Sequence, residues 1–274
     1  MKYADLHIHS SYSDGYFTPE EIIQLAKEQG IKYISITDHD TVASQYIIKA
    51  EYEGIHIIPG IEFSTEYKDM ELHILGYFID LNNNRLNETV NSLRESRVER
   101  TREILKRLEE SNIYIDINEI AINGELSIGR GNIANAMVSK GYAENFREAF
   151  TNYLMQGKSA YVKGEKLSFK TVLEIITESG GLPVLAHPGK IYRSLELENI
   201  VRELKCYGLK GLEVYHPSHS KAQINVFYNL SRKYKLLITG GSDFHGSRDS
   251  EPILANQGIN ELLLDKIINF KQKS

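Results

Sequence analysis

The residues with the most chemistry in this chain are histidines and a small set of carboxylates. Asp5-Leu6-His7-Ile8-His9 places two imidazoles at i and i+2. On a strand they point to one face and can converge on one ion. Alone, such a pair reads equally well as two polar residues at a strand end. Its company gives it weight. Thr37-Asp38-His39-Asp40, Glu62 in Pro59-Gly60-Ile61-Glu62, His73, His187-Pro188-Gly189, His216 and Asp243-Phe244-His245 each stand on or beside a β-forming run. Asp14, in Ser13-Asp14-Gly15, is either a plain turn residue or a ligand folded back over the first His pair. Buried together, these side chains need metal ions or a dense ion-pair network to neutralise them. All are N and O donors, a set that suits Mn, Fe or Zn better than a soft ion.

The elements that must position them follow from periodicity. Strand signals start near Tyr3, Lys32, His56, Glu71, Leu182, Gly211 and Leu236. Helical patterns lie between them, at 19–29, 41–52, 168–179, 195–207 and 221–234, with a last one at 260–271. Strands alternating with helices predict βαβ units, a largely parallel sheet and an α/β barrel-like domain. Each strand would then deliver a His, Asp or Glu at or near its C-terminal end, the face on which barrels build active sites. From 82 to about 165 the pattern becomes helical, too long for an ordinary connection. The chain therefore divides into an α/β part, 1–83 with 166–274, and a helical insertion, 84–165. Seven basic and six acidic side chains between Asn84 and Asn112 predict a solvated helix face.

Composition sets outer bounds. Of 274 residues, 41% are apolar and 25% charged, which is ordinary globular usage. The net charge of −5 gives no global grip on long nucleic acid. No apolar run is long enough to span a bilayer, and Met1 to Asp5 leads into folded-looking sequence without a signal-peptide pattern. A single cysteine, Cys206, excludes an intrachain disulfide and a thiolate-rich metal site. A reducing, cytoplasmic compartment is the simplest expectation.

Five segments in this order resemble the PHP (polymerase and histidinol phosphatase) family. They are His7-Ile8-His9-Ser10 through Ser13-Asp14-Gly15, Thr37-Asp38-His39-Asp40, the Pro-Gly-Ile-Glu around Glu62, Ala186-His187-Pro188, and Gly241-Ser242-Asp243-Phe244-His245-Gly246. The resemblance implies a distorted seven-stranded (β/α)7 barrel with a metal centre at its C-terminal face, agreeing with seven strand signals. In the insertion, Ser127-Ile128-Gly129-Arg130, Ala149-Phe150 and Lys158-Ser159-Ala160-Tyr161-Val162 are similar to the branch that hydrolyses nucleoside 3′,5′-bisphosphates and short oligonucleotides. There the insertion caps the site. Gly131-Asn132 stands where that branch usually carries Pro-His, so the cap lacks one imidazole.

The resemblance also implies up to three divalent ions, Mn foremost with Fe or Zn as alternatives. His7, His9, Glu62 and Asp243 would hold one, Glu62, His73 and His187 a second, and Asp14, His39 and His245 a third, with Glu62 bridging. The implied reaction is phosphomonoester hydrolysis by a hydroxide held between the ions. Its substrate would be a small phosphorylated nucleotide, cleaved at the 3′-phosphate of a 3′,5′-bisphosphate, or a short oligonucleotide. Arg130 and Lys163 of the insertion, with Arg193, His216 and His219 of the barrel loops, are candidates to hold phosphates. Lys163 and Arg193 read equally well as surface cations. His219 or His216 is a candidate proton donor to the leaving oxygen, and a supporting role is open for each. Asp38 and Asp40 are candidates to orient histidine ligands. Two other readings use the same ligands, a histidinol-phosphate phosphatase and a metal-binding regulatory protein without turnover.

Overall fold

Strand β1 (Ala4–Ile8) is buried at every position. In the computed structural model, residues 3–52, 54–68, 70–120, 129–191, 196–246 and 254–273 are described. Helix α1 (Pro19–Glu28) starts on Thr18, whose hydroxyl accepts the Glu21 N–H while the Glu21 carboxylate accepts the Thr18 N–H. That reciprocal pair satisfies two donors a helix start leaves open. Strand β2 (Tyr33–Ile36) then pairs in parallel with β1. A 3₁₀ turn at Ala43–Tyr46 follows, and then strands β3 (Glu51–Tyr52), β4 (Ile55–Ile57), β5 (Gly60–Tyr67) and β6 (Met70–Tyr77).

Helix α2 (Asn84–Glu109) opens the insertion, with Asn83 accepting the Leu86 N–H as its cap. Helices α3 (Ile117–Ile120), α4 (Arg130–Ser139) and α5 (Phe146–Ala149) come next, the last running into a π turn at Phe150–Leu154. The α/β pattern resumes with β7 (Leu167–Ser168), α6 (Phe169–Glu178), β8 (Leu182–Leu185), α7 (Leu197–Cys206), β9 (Gly211–Tyr215), α8 (Lys221–Lys233), β10 (Leu237–Gly240) and α9 (Glu261–Lys273).

The strands form two sheets among the described residues, ordered β1-β2-β4-β3 and β10-β9-β8-β6-β5-β7. Single bridges join them, Ile8 to Phe244 on one side and His39 to Glu62 on the other. The strand count differs from the seven expected of a distorted, largely parallel (β/α)7 barrel, and the strands divide between two sheets. The 55–63 run is two strands, and the link between Tyr67 and Met70 is too short for a crossover, so β6 returns antiparallel to β5 and also pairs antiparallel with β8. The helix expected over 41–52 is only the 3₁₀ turn and β3. There Gln45 Nε2 donates to Ile36 O at 2.8 Å, and β3 pairs with β4 instead of continuing a helix.

Helices α6, α7 and α8 lay Val172, Ile176, Val201, Leu204 and Phe227 against strand residues Ile61, Phe63, Leu185 and Leu212. A separate apolar cluster lies wholly within the insertion, around Ile104, Leu108, Ile133, Met137 and Leu154. Burying side chains of this size contributes about 1.5–3 kcal/mol each.

Candidate metal centre

The strand ends bring nine sequence-predicted side chains together. His7 lies within β1 and His9 just beyond it, His187 follows β8, and Asp243 and His245 follow β10. Two ligands arrive differently from expectation. Glu62 is the third residue of β5, and His73 sits mid-strand on β6, opposite Ser64 in the antiparallel register. Only β6 runs against its neighbours, since β5 pairs in parallel with β7 and bridges His39 in parallel, and both side chains still reach the other donors. Four overlapping groups form: His9, Asp14, His39 and His245; His7, His9 and Asp243; His7, Glu62 and His187; and His39, Glu62 and His73. Within each group the donor atoms all lie within 4.8 Å of one another.

Glu62 is the hub. Its Oε1 lies 3.0 Å from His73 Nδ1 and 3.0 Å from His187 Nε2. Its Oε2 lies 3.3 Å from His7 Nε2, 3.2 Å from His9 Nε2 and 3.1 Å from His39 Nδ1. Asp243 Oδ1 approaches His9 Nε2 at 3.3 Å, and Asp14 Oδ1 approaches His245 Nε2 at 3.3 Å. Each carboxylate thus faces several imidazoles.

The electrostatics follow from that crowding. Burial opposes the charge on Glu62, yet His7, His39 and His73 hold it well below the ordinary carboxylate range. Burial also disfavours charge on His9 and His73, but contacts with Asp243 and Glu62 on the first, and with Glu62 and Glu71 on the second, hold both pKa values up at about 10. For His39 and His187 burial wins, and each falls to about 4. Protons on some imidazoles therefore do the neutralising that cations would do. Among the described residues, the buried atoms Glu62 Oε2 and His9 Nδ1 have no hydrogen-bond partner, an uncommon state for buried polar groups. Orphaned donors, a bridging carboxylate and an all-N/O set fit divalent metal ions.

Surrounding groups fix the donors. Glu213 on β9 is fully buried, and no motif marks it in the sequence. Its Oε1 lies 3.0 Å from His7 Nδ1, and its Oε2 accepts the His187 N–H at 2.7 Å. A carboxylate takes the ring proton, so His7 presents Nε2 to the centre. Asp38 and Asp40 do not touch the ligand rings by hydrogen bonds as expected. Asp38 accepts from Ser10 N, Ser10 Oγ and Ser13 Oγ at 2.6–2.7 Å, pinning the loop that carries Asp14. Asp40 accepts the Ser64 N–H at 2.9 Å and pairs with Arg97 from α2. Asp40, His187 and Asp243 all have positive φ, a strained state that clusters at functional sites. Gly241 must be glycine, since a Cβ there would meet His7 Cβ at 2.4 Å.

Beside the centre is a cavity of about 200 Å³. Asp14, His39 and His73 line one side, and Arg97, Arg100, Arg130 and Lys166 line the other. Arg130 is the first residue of α4; its guanidinium lies 5.2 Å from the Phe150 ring and donates to Leu154 O at 3.3 Å. Arg100 Nε donates to Val162 O at 2.9 Å. Burial, then Arg130 and Arg97, lower its pKa to about 10. Among the described residues neither Arg100 nor Arg130 has a carboxylate partner, whereas Arg97 pairs with Asp40 and Lys166 with Glu71. The face expected to be merely solvated therefore supplies two cavity cations.

The other predicted substrate residues fall elsewhere. Lys163 is exposed and lies 3.5 Å from Glu66. Arg193 lies outside the described residues, as do Ser127 and Ile128. His216 Nε2 is 3.1 Å from Asp243 Oδ2, and Lys190 Nζ, unforeseen from the sequence, is 2.5 Å from the same oxygen. His219 Nδ1 donates to Val214 O at 2.9 Å, so its Nε2 accepts the Gly189 N–H at 3.2 Å. Burial lowers its pKa. His219 thus has no proton at Nε2 to give, and it anchors the loop after β8 instead.

An α/β scaffold converging nine N/O donors beside an arginine-lined cavity defines a metal-dependent hydrolase. The PHP domain family matches residues 5–155, and the chain belongs to that family. It is 33% identical over 252 residues to a 5′-3′ exoribonuclease of Haemophilus influenzae, covering 88% of this chain and 89% of the relative. It is 32% identical over 260 residues to a 3′,5′-nucleoside bisphosphate phosphatase of Chromobacterium violaceum, covering 91% and 90%. A crystal structure from Bifidobacterium adolescentis, assigned as a metal-dependent phosphoesterase, superposes with a TM-score of 0.89 at 27% identity, covering 97% of this chain and 95% of that one. The protein is a metal-dependent PHP phosphoesterase.

Proposed function

We propose that this phosphoesterase removes the 3′-phosphate of nucleoside 3′,5′-bisphosphates and also acts on short oligonucleotides. The observation that carries the reading is the pair of guanidiniums without carboxylate partners, Arg100 and Arg130, facing the ligand cluster across the cavity. Both are half-buried, and half-buried cations without a carboxylate partner suit an anionic group held apart from the reacting one. A substrate with two phosphates meets both ends. The bisphosphate phosphatase and exoribonuclease relatives support the same class.

The fit of the donors supports up to three divalent ions, with manganese our first choice and iron or zinc as alternatives. His7, His9, Glu62 and Asp243 would hold one, Glu62, His73 and His187 a second, and Asp14, His39 and His245 a third. Bound there, such ions would supply Lewis acidity and an activated water. The chain's own part is positioning. Glu62 joins the donor groups, Glu213 fixes His7, and Asp38 holds the Asp14 loop. Arg100 and Arg130 would grip the phosphate that is not cleaved. Residues 84–165, with their own apolar cluster, would form the cap that carries both arginines and limits water.

The test is phosphate release with Mn²⁺ from a nucleoside 3′,5′-bisphosphate, a 3′-mononucleotide and histidinol phosphate. The bisphosphate should be the best substrate, and histidinol phosphate as the best would overturn the reading. Arg100→Ala and Arg130→Ala should each raise KM for the bisphosphate with kcat little changed. A charge-assisted contact contributes roughly 1.5–3 kcal/mol, about 10- to 150-fold. The 3′-mononucleotide, lacking the second phosphate, should be affected far less.

A further inference from the structure

A second groove, of about 350 Å³, runs between α2 and the 41–47 segment. It shares both walls with the central cavity. On α2, Asn87, Val90, Asn91 and Arg94 line the groove while Leu93, Ser96 and Arg97 line the cavity. On the loop after β2, Thr41 lines the groove and Asp40 the cavity. Asn91 and Arg97 are six residues apart, about 9 Å along a helix axis. The cavity and the groove therefore lie next to one another along α2.

The lining suits a nucleotide. None of its residues is acidic, although the chain as a whole is net negative. Tyr46, which lines the groove, is 59% exposed. Its hydroxyl donates to Leu81 O at 2.9 Å, with Asn87 Oδ1 at 3.0 Å. That anchor tethers the ring by its tip and leaves its body in solvent, an arrangement that gives a base a platform to stack on. Tyr12, two residues before the candidate ligand Asp14, lines the same groove.

We infer that this groove seats the second nucleotide of a short 5′-phosphorylated single-stranded oligonucleotide whose first internucleotide phosphate occupies the metal centre while its 5′-phosphate meets Arg100 and Arg130, with a base stacked on Tyr46. The inference rests on the reading of the cleft as a nucleotide phosphoesterase and adds a subsite to it. It makes the enzyme's preference between mononucleotides and oligonucleotides a property of Tyr46.

The experiment compares the Mn²⁺-loaded enzyme with its Tyr46→Ala and Tyr46→Phe variants on a nucleoside 3′,5′-bisphosphate and a 5′-phosphorylated RNA trinucleotide. Tyr46→Ala should raise the KM of the trinucleotide relative to that of the bisphosphate about tenfold, the scale of one base–aromatic stack. Tyr46→Phe keeps the ring and should retain most of the preference. An unchanged ratio in Tyr46→Ala, or an equal loss in both variants, overturns the subsite. If neither substrate is turned over, the proposed function fails while the groove is still tested by anisotropy of a 3′-labelled trinucleotide. Binding should then weaken about tenfold in Tyr46→Ala and hold in Tyr46→Phe. Equal binding by all three proteins, or none by the parent, rejects it.

Discussion

At Glu62, one carboxylate faces five imidazoles, and at Glu213 another holds two of the same ligands from behind. The two should respond differently to loss of charge. Glu62→Gln removes the negative charge that joins the donor groups, so kcat should fall by several orders of magnitude and fewer ions should be retained. Glu213→Gln keeps the shape but can offer its amide N–H to His7 Nδ1, which favours the wrong tautomer. Metal affinity should drop about 10- to 100-fold, and excess metal should restore most of kcat. Titration calorimetry with Mn²⁺ alongside kinetics separates them; a Glu213→Gln protein with parental metal affinity would remove Glu213 from the centre's support. Glu62 was legible in the sequence because it stands in a recognisable tetrapeptide. Glu213 was not, because its meaning depends on a contact 206 positions away in the chain.

Loops and strands explain what else was legible. The order of the candidate ligands along the chain was readable because most of them stand in short motifs beside β-forming runs, His73 being the exception. Strand direction was not, since a two-residue link reverses β6 while leaving its hydrophobic pattern intact. The helix expected at 41–52 was lost to tertiary competition, its apolar residues serving a 3₁₀ turn and a short strand. At this scale the decisive device is the 10–15 loop, pinned by the three hydrogen bonds to Asp38. Asp38→Ala should cost about 1–3 kcal/mol for each buried donor left unsatisfied. It should also release Asp14, so that one ion is lost selectively while those held by His7, Glu62 and His187 remain. Thermal unfolding and elemental analysis of the purified variant check both parts; a lowered Tm with full metal content would show the loop to be structural only.

For the whole molecule, the buried cluster ties stability to both pH and metal. Without ions, His9 and His73 have folded pKa values of about 10, above the unfolded value near 6.5. Their contribution to stability is then fully present below about pH 6.5 and is lost as pH rises towards 10. His39 and His187, held near 4, act in reverse and cost stability as pH falls from about 6.5 to 4. The ion-free protein is therefore squeezed from both sides. Ions bound through His9 and His73 would compete with the protons there, so binding should release protons and strengthen as pH rises. Ligand binding to the folded state alone raises stability by RT ln(1 + [L]/Kd). The rise in Tm on adding a fixed excess of Mn²⁺ should consequently be larger at pH 8.5 than at pH 6. Scanning calorimetry of metal-stripped and reloaded protein at both pH values measures it directly. A gain that is equal at the two values, or larger at pH 6, would mean that ions and protons do not share these imidazoles, and the assignment of His9 and His73 as ligands would fail with it.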